Sequence, residues 1–319
     1  MDDVTKSSGR RTFLLGTAAA GLAVAGLGTA GGVASASRGG AVTRSVGPFE
    51  VLALLDADGP FFLPAADAFA GASERDWAGA RLVDPAAFGP DGTWHLDFRC
   101  FAVRLPNRRY ALVDTGVGPA ESPAAAWAPV PGHLLERLAE AGIGRDEVEF
   151  VVLTHLHEDH YGWSVSPQGV PTFPNARYVV QRSEIAALEE AGDEVVLAYV
   201  VAPLRGTGQL SVVDGRDCLA ERHGTRLTTE PTPGHTPGHQ SVLLRGADRQ
   251  IVITGDVLVH AVQLVAPDVG YRFEGDQDTA RRTRRALLER ADRMPTWLAT
   301  AHLNTPFVRP GTARRTGPT

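Results

Sequence analysis

Residues 149–163 read EFVVLTHLHEDHYGW, and no other stretch restricts the fold of this chain so tightly. An apolar run stops at Thr154, and the next six residues hold three histidines and two acids. Surface loops ordinarily use Gly, Ser, Asn and Pro. Imidazoles and carboxylates crowded together at the end of a buried strand are costly unless a positive charge lies among them. If the backbone stays extended, side chains alternate with period two, so His155 and His157 point one way while Leu156 and Glu158 point the other. Asp159 and His160 follow where the chain turns into its next element. One loop thus offers two imidazoles to one metal ion and a carboxylate plus an imidazole to a second. The alternative is a polar loop of separately hydrogen-bonded histidines; four competent ligands at this spacing favour metal.

Three more ligand types each follow a strand-like run. His235 stands in the Pro/Gly-rich turn TPGHTPGHQ, Asp256 in VITGDVL and His302 in LATAHLNTP. The C-terminal ends of strands are where open α/β sheets build sites. Side chains spread from position 155 to position 302 can meet only if residues 151–305 fold as one unit, which argues against a domain boundary within them.

Apolar runs at FEVLALLD, FRCFAVRL, RYALVDTG, EFVVLTH, ARYVVQ, SVLLRG, QIVITGD and TWLATAH predict strands. Helical periodicity appears at residues 131–142, 183–190 and 277–294. The texture is α/β, without an internal repeat. Residues 56–96 are the least regular. Their Phe61, Phe62, Trp77 and Trp94 are read as packing beneath a long loop, with a role in lining a substrate pocket left open.

The chain has 319 residues, 43% hydrophobic and 21% charged, enough for a sizeable core in one or two domains. A formal charge of −6 gives no electrostatic reason to expect nucleic acid or an anionic membrane as partner. Cys100 and Cys218 have no metal-type spacing; whether they pair is open.

Residues 1–36 are separate. Arg10-Arg11 is followed by Phe13-Leu14, a long Ala/Gly/Leu/Val run and Ala34-Ser35-Ala36, small residues where a signal peptidase cuts. This resembles a twin-arginine export signal, and it implies passage across a bacterial cytoplasmic membrane to a secreted or extracytoplasmic location. The alternative is a retained anchor, since the run is near membrane-spanning length, but so many glycines and alanines anchor poorly. The expected organisation is signal 1–36, flexible lead-in 37–48, one domain over 49–308 and a disordered tail 309–319.

The ordered set His155, His157, Asp159, His160, His235, Asp256 and His302, together with LVDTG at residues 112–116, resembles the metallo-β-lactamase superfamily. The resemblance covers most of the chain after the signal. It implies an αββα sandwich of two mixed β-sheets flanked by helices, with a dinuclear site at one sheet edge. By that likeness His155, His157 and His235 hold one metal, Asp159, His160 and His302 the other, and Asp256 bridges. A cysteine stands where Asp256 does in many β-lactamases of this fold, and an acid where His157 does in flavo-diiron reductases, so both branches are disfavoured. Glyoxalase II-like thioesterases, N-acyl-homoserine lactonases and methyl parathion hydrolases share the ligand pattern. The last two resemble this chain most.

The expectation is therefore a dinuclear metallohydrolase that attacks a lactone, ester or phosphotriester of a small molecule with a metal-bridging hydroxide, Asp159 and Asp256 being catalytic. Zinc suits nitrogen and oxygen ligands, with manganese, iron or cobalt acceptable. Alternatives are a thioesterase, a persulfide dioxygenase with one iron, or a binding module with a vestigial site. A nuclease lacks the basic surface it needs. A homodimer is left open. Asp114 is read as supporting a ligand imidazole or capping a turn, His239 as packed beside the ligands, and His260 as a pocket or buried group. His95, His133 and His223 carry no functional reading. Arg281, Arg282, Arg284 and Arg285 are read as a solvated helix face rather than an anion site.

Overall fold

A computed structural model of the protein describes residues 42–311. The export signal expected over 1–36, the start of the lead-in and residues 312–319 of the tail lie outside the described residues. In chain order the strands are β1 (Val42–Val46), β2 (Phe49–Pro64), β3 (Phe69–Ala70), β4 (Thr93–Arg104), β5 (Tyr110–Val113), β6 (Val148–Val152), β7 (Arg177–Gln181), β8 (Leu210–Val213), β9 (Cys218–Arg222), β10 (Thr225–Pro231), β11 (Gln240–Arg245), β12 (Gln250–Ile253), β13 (Gly270–Tyr271), β14 (Thr296–Ala299) and β15 (Phe307–Val308).

Seven of them form a sheet in the order β1-β2-β4-β5-β6-β7-β8, and six form a second in the order β15-β14-β12-β11-β10-β9. Both sheets are mixed: β5 to β8 run parallel to one another, and β12 runs parallel to β14, while the remaining pairs are antiparallel. β3 and β13 make a separate two-stranded ladder.

Period-two alternation explains how the sheets stack. Val51, Phe101, Val103, Val113, Phe150 and Val152 of the first sheet meet Leu227, Val242, Leu244, Ile251 and Ile253 of the second in one buried cluster. Their neighbours in sequence point outward. Leu54, Leu112 and Val151 pack under helices Leu134–Glu140 and Arg182–Ala191 through Leu134, Leu138 and Ile185. Leu243, Val252 and Leu298 pack under helix Gln277–Ala291 through Leu287, Leu288 and Ala291. The layers are helix, sheet, sheet, helix, as the resemblance implied.

Two expectations differ from the structure. Val42–Val46, read as flexible lead-in, is an edge strand paired with β2 from Val42↔Ala53 to Val46↔Phe49, and Val46 is buried. Its polar, exposed face hid the alternation. Residues 56–96 are more regular than their Pro/Ala/Gly content suggested, since β2 runs to Pro64 and helix Glu74–Val83 follows a Ser73/Asp76 capping box. That helix buries only Ala80, so it carries no apolar stripe to read. Phe61 and Trp94 do belong to the core, whereas Phe62 is 51% exposed. Cys100 is buried and Cys218 exposed, and they do not pair.

Candidate metal centre

β10, β12 and β14 run the same way, and the residues that leave their C-terminal ends gather with those leaving β6. His157 stays extended (φ −88°, ψ 155°) before the short helix Glu158–Tyr161, so His155 and His157 face the same side as the alternation required. His155 Nε2 lies 3.0 Å from His157 Nδ1, and His235 Nε2, from the β10–β11 loop, also lies 3.0 Å from that atom. Three nitrogens converge. A second group forms beside them, with His160 Nε2 3.4 Å and His302 Nε2 3.5 Å from Asp159 Oδ2.

Asp256 stands between the groups. Its Oδ2 lies 3.2 Å from His235 Nε2 and 3.9 Å from His155 Nε2. Its Oδ1 lies 3.1 Å from His302 Nε2 and 3.3 Å from His160 Nε2. All seven side chains expected as ligands are therefore brought together, six of them buried and His157 half-buried.

For His155, His160 and His302, outer hydrogen bonds decide which ring nitrogen faces inward. His160 Nδ1–H donates to Asp114 Oδ2 (2.9 Å), and His302 Nδ1–H donates to the Asp97 carbonyl (2.9 Å). Thr154 Oγ1 donates to Asp114 Oδ2 (2.9 Å), so it accepts from His155 Nδ1–H (3.1 Å). Each arrangement leaves the Nε2 lone pair pointing into the cluster, as metal-binding imidazoles require. Asp114 thus holds the His160 ring, and it also accepts from Thr154 N–H (2.7 Å). It does so from the left-handed region, at φ 60°, a conformation that Asp tolerates better than most residues.

His239 is occupied on both nitrogens. Asp256 N–H donates to its Nε2 (2.9 Å), which makes its Nδ1–H the donor to Thr232 Oγ1 (2.8 Å). It holds the Asp256 backbone, and neither of its nitrogens is left to face the cluster. The approach needs Gly255, whose φ is 52° and where a Cβ would lie 2.6 Å from His239 Nε2. His260 is buried, with its Nε2 lacking a hydrogen-bond partner among the described residues. Its Nδ1 accepts from Val262 N–H, and its ring sits among Phe69, Trp77, Phe88 and Trp94 at 5.1–5.6 Å.

Burial pushes His155 and His235 well below the usual imidazole range, His239 to about 4 and His260 to about 3. Burial acts the same way on His160, but the carboxylates of Asp159, Asp256 and Asp114 outweigh it and hold that ring well above the usual value. Burial would raise Asp256, yet His302, His160 and His235 keep it well below the usual carboxylate range. His160 Nε2 and Asp256 Oδ1 are buried and have no hydrogen-bond partner among the described residues. Orphaned inward-facing lone pairs of this kind are costly without a cation between them. The nitrogen and oxygen donors present fit divalent metal ions.

Several supporting residues carried no sequence signal. Buried Glu184 links the His155–His160 loop to the His235 loop. Buried Asp56 accepts from Val117 N–H, Leu134 N–H and Trp163 Nε1–H. Arg99 donates to the Thr300 and Leu303 carbonyls on either side of His302. Arg284, expected among solvated arginines, is fully buried. It donates to Glu274 Oε1 (2.7 Å) and to the carbonyls of Val257, Pro267 and Val269. Phe98 meets His302 edge-on at 5.7 Å, and Tyr271 stacks on His235 at 6.0 Å.

Comparison with known proteins agrees with this geometry. N-acyl homoserine lactonase AttM of Rhizobium radiobacter is 33% identical over 114 residues, 35% of this chain and 41% of that protein. N-acyl homoserine lactonase AiiA of Bacillus thuringiensis subsp. kurstaki is 32% identical over 115 residues, 35% of this chain and 39% of that one. The chain thus matches about two fifths of the length of these relatives. Among solved structures, hydrolase AbOPH in the beta-lactamase superfamily superposes with a TM-score of 0.68 at 23% identity, covering 85% of this chain and 92% of that one. AidC, a dizinc quorum-quenching lactonase, gives 0.65 at 21% identity over 84% and 92%. These two likenesses speak for the fold. The model of the metallo-beta-lactamase superfamily matches residues 99–298, from the strand before LVDTG to the strand before His302, and the chain belongs to that superfamily.

Proposed function

We propose that this protein is an exported hydrolase that holds two divalent cations, zinc foremost, and opens an ester-like bond in a small molecule, a lactone before a phosphotriester or aryl ester. One observation carries the reading. The two oxygens of Asp256 face two separate nitrogen groups, 3.2 Å from His235 and 3.1 Å from His302, as a bridging ligand must. His155, His157 and His235 would hold one cation, and Asp159, His160 and His302 the other. When bound, such ions supply Lewis acidity and lower the pKa of water from ~15.7 toward ~7.

The chain's own residues prepare the site for that chemistry. Asp114 and the Asp97 carbonyl keep protons on the outer nitrogens of His160 and His302, so their lone pairs stay inward. Asp159 and Asp256 concentrate negative charge where cations are wanted, and Asp159 is positioned to orient the attacking oxygen. Six of the seven side chains are buried and His157 is half-buried, so the cluster lies largely away from bulk water. The named activity of the lactonase relatives, matched over part of their length, supports placing lactones first. Arg10-Arg11 and Ala34-Ser35-Ala36 support export.

The test compares initial rates of the zinc- and manganese-loaded protein on an acyl-homoserine lactone, an aryl phosphotriester, an aryl ester and a glutathione thioester. Lactone hydrolysis that chelator abolishes, added metal restores and Asp256→Ala lacks is the expected result. Chelator-insensitive activity, or one iron per chain with thiol-dependent oxygen uptake, overturns it.

A further inference from the structure

The first nitrogen group is assembled from distant parts of the chain. His155 and His157 leave β6, whereas His235 is 78 residues beyond His157 in a Pro/Gly-rich turn. Glu184 spans the gap. It is the third residue of helix Arg182–Ala191 and is buried. Its Oε1 accepts from the N–H of Leu156, between the two histidines, at 2.9 Å. Its Oε2 accepts from Thr236 Oγ1 (2.6 Å) and from Gly238 N–H (3.0 Å), both just past His235. The turn comes this close because position 238 has no side chain; a Cβ there would lie 2.1 Å from Glu184 N. The second group leans on other supports, Asp114 for His160 and the Asp97 carbonyl for His302.

We infer that Glu184 is a positioning residue that sets the spacing of His155 and His157 against His235, and thereby governs cation affinity at that position and not at its neighbour. The inference rests on the two-cation reading above. Glu184→Gln conserves size and keeps one acceptor for Leu156 N–H. Its amide NH₂, however, confronts Gly238 N–H, donor against donor, and moves the turn that carries His235.

The measurement is zinc stoichiometry by equilibrium dialysis, with affinities from competition against a chromophoric chelator. Glu184→Gln is expected to weaken one of two ions by ~10–100-fold, the range found when outer partners of metal ligands are removed. The other ion stays at the affinity of the unsubstituted protein, which also reports that the variant is folded. Double variants assign the position: Glu184→Gln adds nothing to the loss in His235→Ala, but adds fully to the loss in His302→Ala. Unchanged affinity for both ions, or equal weakening of both, overturns the inference alone. An unsubstituted protein that binds fewer than two ions overturns the two-cation reading and the inference with it.

Discussion

Asp114→Asn isolates the contribution of hydrogen bonds behind the ligands. The backbone there is left-handed, at φ 60°, which Asn accepts at least as readily as Asp, so the substitution leaves the chain path unstrained. The carboxylate accepts from Thr154 N–H at 2.7 Å, Thr154 Oγ1 at 2.9 Å and His160 Nδ1–H at 2.9 Å. An amide satisfies Thr154 N–H with its oxygen but turns its NH₂ toward His160. The ring then keeps its Nδ1 lone pair for that NH₂ and carries its proton on Nε2, the atom that faces Asp159 and Asp256 at 3.4 and 3.3 Å. A protonated nitrogen is no ligand. Replacing a charge-assisted bond of ~1.5–3 kcal/mol by a tautomer change translates to roughly a 10–100-fold loss of affinity for the cation beside Asp159, His160 and His302. Zinc competition titration reads the affinity, and long-range nitrogen–proton NMR of the imidazoles reads the tautomer. Unaltered affinity with the His160 proton still on Nδ1 would refute the argument.

Two further predictions concern the scaffold. Burial raises Asp56 from 3.8 to about 6, so its folded form holds a proton more tightly than its unfolded form. The stability this provides is present below pH ~4 and is lost as pH rises through about 6, an amount of roughly 3 kcal/mol. Urea unfolding at several pH values should therefore show a shallower decline between pH 4 and 6 in Asp56→Asn, and equal slopes would sink the assignment. Arg284→Met removes the only cation paired with the buried Glu274 carboxylate among the described residues, leaving it the neutral donors Tyr271 N–H and Gln263 Nε2. A loss of ~3–5 kcal/mol by chemical denaturation is expected, with part regained in the double variant Arg284→Met, Glu274→Gln. A loss below ~1 kcal/mol would show that Glu274 finds water or another partner.

What the sequence determined by itself was the part of the site encoded by short spacing. HLHEDH announces converging imidazoles because strand alternation is a local rule, and His235, Asp256 and His302 announce themselves as ligand types at the ends of apolar strands. The α/β texture was legible for a similar reason, since apolar strand runs and the helical period over 277–294 are local patterns; the two-sheet sandwich came from the superfamily resemblance, and the clusters on both faces of β11 and β12 come from the structure. What only the tertiary structure decided are the interactions between segments far apart in sequence. Glu184 is one acid in an acidic helix until the fold brings it within 3.0 Å of Gly238 N, 54 residues on, and Asp97 offers His302 a backbone carbonyl from 205 residues away. Arg284 looks like its solvated neighbours until the loop carrying Val257, Pro267 and Val269 wraps its guanidinium. β1 and helix Glu74–Val83 bury too little apolar surface to leave a periodic mark. Ligand identity is a property of residue type and local spacing. Which nitrogen His155, His160 and His302 turn inward depends on hydrogen bonds that exist only once the sheets have packed.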